Sequence, residues 1–170
     1  EWLKRVERTG FGRGLFSTWR DDREFVLNDE RYAQANILVA GANFGTGSSR
    51  EHAVWAILDY GFQAVVSPRF GDIFANNSTK NGLVAVKVSP EVGRKLLDAE
   101  QADPTTVVVV DVERRVIEVP SLGIVEEFPL SDSVQHRFLE GLDDIGLTLG
   151  HADELTAFET TRPAWMPTAS

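Results

Sequence analysis

Two short apolar runs, ANILVAG (35–41) and FQAVVSP (62–68), flank a stretch of helical spacing, and this arrangement constrains the fold more than any other feature of the chain. The first run ends at Gly41 and the second at Pro68, as buried strands do. Between them Ala53, Val54, Ile57 and Leu58 recur at the 3–4 spacing of one helix face, and Gly61 stands where a helix would stop. The pattern continues with a helix in RFGDIFANNSTKNG, a strand in LVAVKV and a helix in SPEVGRKLLDAEQ opened by Ser89 and Pro90. Strands alternating with helices imply an α/β layer.

The second half has a different character. TTVVVVDVERRVIEVP predicts two strands around a polar turn at Glu113 to Arg115, and IVEEFPL a further strand, an antiparallel arrangement. Helical patterns return in SDSVQHRFLEGL and HADELTAFETTR, and PAWMPTAS is a proline-bearing tail. With 170 residues and no linker or repeat, the chain is expected to form one domain: an opening loop over 1–24 lacking periodicity and expected to be mobile, a core over 25–162 and a tail over 163–170.

Charge and composition remove several classes of function. A net charge of -9 argues against a nucleic-acid surface. No apolar run approaches 18 residues and no signal-peptide pattern is seen, so a cytoplasmic protein without a membrane span is expected. The chain has no cysteine, and therefore no disulfide, no thiol nucleophile and no thiolates of its own for zinc or an iron–sulfur cluster. Residues 1–20 carry Lys4, Arg5, Arg8, Arg13 and Arg20 against Glu1 and Glu7, a balance of +3, and the remainder carries -12. A basic arm on an acidic domain suits a small anion, or is simply a solvated loop.

The stretch GTGSSREH (45–52) fails the common nucleotide and hydrolase motifs. GxGxxG would need glycine at Arg50, GxxxxGK[ST] lacks its lysine, and GxSxG breaks at Glu51. No histidine sits in HExxH. Ser48 to Glu51 does satisfy the capping box S-x-x-E, with Ser48 as N-cap and Glu51 reaching back to its backbone N–H. Capping leaves Gly45 and Gly47 unexplained, because glycine serves mainly where something must approach the main chain closely. A helix N-terminus also attracts anions, and Ser48 and Arg50 would both face one there.

NFGTGSSREHA, DIFANNSTKNGL, HRFLEGLDDIGLTL and RPAWMP together resemble the small-subunit family of 3-isopropylmalate dehydratase over essentially the whole chain. The GSSREH core is similar to the mobile domain of aconitase and its relatives. The resemblance implies an α/β fold of the swivelling β/β/α type, closing over a large subunit that carries a [4Fe-4S] cluster. It further implies a hydro-lyase acting on a small dicarboxylate, isomerising 2-isopropylmalate to 3-isopropylmalate in leucine biosynthesis. In that mechanism the cluster's open iron binds the substrate hydroxyl and carboxylate while a serine of the GSS triplet removes a proton from the adjacent carbon. By position that serine is Ser48, with Ser49 and Arg50 matching carboxylate-binding residues. The stretch EWLKRVERTG corresponds to the region that distinguishes substrates in relatives, making Leu3, Lys4 and Arg5 candidates for the isopropyl group and distal carboxylate.

The sequence departs from the family in places. Relatives have a DTDxIIP-like segment ahead of the point where this sequence starts, and it supplies part of their site. Thr46 and Ser78 stand where many relatives have cysteine. An alcohol is a weak base, and a helix N-terminus adds only about 0.3 to 2 kcal/mol, so the clamp, backbone donors and a dry closed site must supply the rest. His52 reads as a helix-surface or interface residue, His136 and His151 as structural, Asn76, Asn77 and Lys80 as capping or interface groups, and Asp143 and Asp144 as caps of a short helix. Two rival readings remain open. One is a small subunit of a sister hydro-lyase acting on homoaconitate or a methyl-substituted malate. The other is a stand-alone module that senses an anionic metabolite without chemistry.

Overall fold

The computed structural model describes residues 10–47, 50–141 and 152–161. Its first sheet is three parallel strands in the order β1 (Ile37–Val39), β2 (Ala64–Ser67), β3 (Val84–Lys87). Leu38 pairs with Val65 and Val65 with Ala85. Parallel neighbours need a crossover, and α1 (His52–Tyr60) and α2 (Asp72–Asn81) supply the two. The second sheet is antiparallel, β4 (Val109–Asp111), β5 (Val116–Val119) and β6 (Ile124–Glu127), with α3 (Pro90–Ala102) linking the two sheets. α4 (Asp132–Glu140) and α5 (Ala152–Thr161) follow.

All four residues of β2 are buried, which explains why its sequence is apolar without alternation: both its faces are covered. Val65 joins Val54, Ile57, Phe62, Phe74 and Leu83 in a core beneath α1 and α2. Its neighbour Val66 points the other way, into a core with Val86, Leu96 of α3 and Ile117, Val119 of β5. Each fully buried valine or leucine contributes about 1.5 to 3 kcal/mol relative to an exposed one, so this central strand ties both halves together. Helices on one side, a parallel sheet in the middle and an antiparallel sheet beyond it make the β/β/α architecture that the resemblance implies.

Local signals set several boundaries. α1 stops at Gly61, whose φ of 119° lets Phe62 N–H reach Ile57 O while Gly61 N–H bonds Leu58 O. α3 opens at Ser89, whose hydroxyl accepts from Val92 N–H and donates to Glu126 of β6. The start of α1 differs from the capping-box expectation. The helix opens at His52 with Glu51 at its N-cap and no side-chain cap bond from it. Glu51 Oε1 accepts from Asn81 Nδ2 at 2.7 Å.

The described part of the opening stretch, from Gly10, lacks long elements as its composition implies, yet it is packed down. Phe11 and Leu15 are buried. Gly12 N–H donates to Asp59 Oδ2 at 2.8 Å, and the Arg20 guanidinium lies over the Tyr60 ring at 4.5 Å. The segment is thereby moored along α1.

Candidate functional site

The loop from Gly41 to Gly47 continues β1 and leads to α1, and backbone bonds hold it from below. Phe44 N–H donates to Arg69 O, and Gly71 N–H donates to Phe44 O. The fully buried Ser67 hydroxyl sits between Gly41 O at 2.8 Å and Arg69 O at 2.9 Å, joining the carboxyl ends of β1 and β2. Asn43 takes a φ of 67°, and Thr46 Oγ1 donates to Asn43 O at 3.0 Å, closing a tight turn. The loop is a fixed platform up to Gly47.

The glycines of this loop have different roles. At Gly45, φ is 75° and a Cβ would lie 2.4 Å from the Phe74 ring, so the close approach demanded by this glycine is made by the protein's own aromatic core. A Cβ on Gly71 would likewise meet Gly45 O at 2.8 Å. Gly47 has open space where a side chain would be. Of the pair flanking Thr46, Gly47 is exposed with room for a side chain, whereas Gly45 is half-buried against Phe74.

An open cleft of about 780 Å³ lies above this platform, at the carboxyl end of β1. Ligands of open α/β sheets bind at this end of the strands. One wall is the moored opening segment, with Phe16, Trp19 and Phe25. Phe16 stacks parallel on Trp19 at 5.3 Å and holds a φ of 51°. A bulky residue in that region costs about 1 to 3 kcal/mol and persists only where its surroundings enforce it. The opposite wall is the start of α1, with Arg50, His52 and Ala53.

Arg50 is exposed at the rim of the cleft, and its carbonyl accepts from Ala53 N–H in the first turn of α1. Ser48 and Ser49 lie outside the described residues, as do Leu3, Lys4, Arg5, Asp143, Asp144 and His151. The described neighbours on both sides, Gly47 and Arg50, line the same cleft. His52, at the start of α1, is half-buried in an aromatic cluster within the chain, 5.3 Å from Phe11 and 4.8 Å from Trp55. Asn76 and Lys80 are exposed on α2, and Asn77 O accepts from Asn81 Nδ2. Ser78 is buried and donates to Phe74 O at 2.8 Å, while Thr46 stays at the cleft.

Asn81 is not suggested by the sequence. Preceding Gly82, it has the look of an ordinary helix end, yet its side chain bonds Trp55 Nε1 at 2.8 Å as well as Glu51. No local pattern announces a partner 30 residues away.

A pinned turn, an arginine at the rim and a cleft at the strand ends form the site, and the family comparison gives its class as that of the aconitase C-terminal domain. The aconitase C-terminal domain family matches residues 3–91, and the family of C-terminal domains of the 3-isopropylmalate dehydratase small subunit matches residues 144–169. The 3-isopropylmalate dehydratase small subunit of Frankia casuarinae is 58% identical over 100% of this chain and 86% of its own length. That of Rubrobacter xylanophilus is 53% identical over 97% and 84%. A crystal structure of 3-isopropylmalate dehydratase (leuD) from Methanocaldococcus jannaschii shares the fold at 20% identity, with a TM-score of 0.63 over 93% of this chain and 86% of that one. The chain belongs to the 3-isopropylmalate dehydratase small-subunit family.

Proposed function

We infer that this chain is the small subunit of a two-subunit 3-isopropylmalate dehydratase. With its large subunit it converts 2-isopropylmalate to 3-isopropylmalate in leucine biosynthesis, removing water to give isopropylmaleate and adding it back in the opposite sense. The observation that carries this reading is identity of 58% across the whole chain to a relative of that name. The cleft beside the GTGSSREH loop is where the site would lie.

The residues of this chain do not fit an iron–sulfur cluster. Such clusters are held by thiolates, the sequence has no cysteine, and the described residues contain no grouping of three histidine or acidic side chains. A [4Fe-4S] cluster therefore belongs, in this reading, to the large subunit. What this chain supplies is the proton chemistry and the grip on a dicarboxylate.

Ser48, as an alkoxide, takes the proton from the carbon next to the hydroxyl-bearing one, and the C–H electron pair becomes the new double bond as the hydroxyl departs. Rehydration returns that proton at the neighbouring carbon. Ser49 and Arg50 bind carboxylate, Arg50 through the paired donors of a planar guanidinium. Leu3, Lys4 and Arg5 meet the isopropyl group and the distal carboxylate. No single local effect makes serine basic enough, so the competent site exists only when the large subunit and substrate exclude water. The partners are the large subunit and the substrate, with no nucleic acid, and the setting is the cytoplasm. Among the described residues no helix is long and apolar enough to cross a membrane.

Reconstitution tests the reading. The isolated chain should contain no iron and turn over nothing, and mixing it with a cluster-loaded large subunit should produce isopropylmalate isomerase activity. Activity of the chain alone, or a complex that prefers homoaconitate or a methyl-substituted malate, overturns it.

A further inference from the structure

We propose that Asn81 is a positioning residue for the carboxylate clamp: by locking Glu51 and Trp55 it fixes the first turn of α1 and so the place of Arg50 at the cleft. This rests on the reading above, in which Arg50 grips substrate.

The geometry is specific. Asn81 is the last residue of α2 and its side chain is engaged three times. Nδ2 donates to Glu51 Oε1 at 2.7 Å and to Asn77 O at 2.8 Å, and Oδ1 accepts from Trp55 Nε1 at 2.8 Å. Each of these bonds is partly buried. Glu51 and Trp55 are four residues apart, hence stacked on one face of α1, and holding both fixes the rotation of the helix as well as its height. The bond to Asn77 O anchors the amide to α2 itself.

Glu51 is the residue next to Arg50, and it gives its N-terminal turn no local side-chain cap. Its Oε1 is tied across to α2 by Asn81. The start of α1 is thus placed by tertiary bonds, whereas its far end is closed locally by Gly61. Trp55 carries the tie further, since its ring packs on His52 and Phe11 and so connects α1 to the wall of the cleft formed by the opening segment. A clamp needs its donors placed to within a fraction of an ångström, and a displacement of about 1 Å can cost about a hundredfold in rate.

The test uses the reconstituted two-subunit enzyme with 2-isopropylmalate, in which an active wild-type complex establishes the underlying reading independently. Asn81→Ala should lower kcat by about 10- to 100-fold while KM rises less, with the helix content by circular dichroism retained. Combined with Arg50→Lys, its effect should largely disappear, because a residue that acts through Arg50 has nothing left to position. Glu51→Gln, which keeps an acceptor for Asn81 Nδ2, should stay near wild type. If Asn81→Ala does not fold, Asn81→Asp keeps the shape but turns a carboxylate toward Glu51. It should reproduce the fall in kcat and the same loss of effect beside Arg50→Lys. A fall in melting temperature with kcat within about twofold of wild type, or fully additive effects with Arg50→Lys, overturns the proposal.

Discussion

The two sheets of this protein are held in different ways, and the candidate site lies on one of them. Around the parallel sheet the polar bonds join distant segments: Gly12 to Asp59, Ser67 to Gly41, Glu51 and Trp55 to Asn81. Phe16, Asn43 and Gly45, all of positive φ, line the cleft, while Arg115 holds a φ of 57° in the antiparallel hairpin. In the antiparallel sheet the ties run mainly through charged side chains, and they too join distant segments, with Glu126 of β6 accepting from Ser89 at the start of α3. Arg114 pairs with Asp111 and Glu118 within one hairpin, and Arg115 reaches Asp132 and Gln135 of α4. Left-handed backbone at residues other than glycine is costly and persists only where the surroundings enforce it. The antiparallel half covers the second core.

Matched glycine substitutions should expose the contrast most strongly. Gly45 and Gly123 have similar positive φ, 75° and 62°, but a Cβ at Gly45 meets Phe74 whereas at Gly123 it meets open space. Gly123→Ala should cost about 1 to 2 kcal/mol, from the left-handed backbone alone. Gly45→Ala should cost about 2 to 4 kcal/mol, adding the overpacking of Phe74, and should lower turnover of the reconstituted enzyme by displacing the loop. Urea melts give both values. Equal costs at the two positions would break the comparison.

Much of the scaffold is readable in the sequence because its determinants are local. The apolar runs of β1 to β3, the glycine that ends α1 and the Ser89–Pro90 opening of α3 each declare themselves within a few residues. The start of α1 departs from its sequence pattern for the opposite reason. Ser48 to Glu51 has the spacing of a capping box, but the helix opens at His52 with Glu51 at its N-cap, and Asn81, 30 residues on, bonds Glu51 Oε1. Nor could sequence show that the opening segment is moored by Phe11 and Asp59, or that Gly45 is required by Phe74. Arg50 is legible as a candidate through its motif, and the structure puts it on the cleft.

The smallest expected effect lies in the antiparallel half. Arg114 is more than half exposed, so Glu118→Gln should change stability by less than about 0.5 kcal/mol and leave turnover untouched. A loss above about 1 kcal/mol in the same melts would show that this hairpin depends on the Arg114–Glu118 pair.

The central claim is that the GTGSSREH loop performs chemistry, and Ser48→Ala in the reconstituted enzyme tests it most directly. Turnover of 2-isopropylmalate should fall by about 10²- to 10⁴-fold, with the subunits still assembling and the stability of the chain changed by no more than about 1 kcal/mol. A mutant complex that assembles and retains turnover within about threefold of wild type would contradict the account, leaving Ser48 a loop residue and the proton base elsewhere.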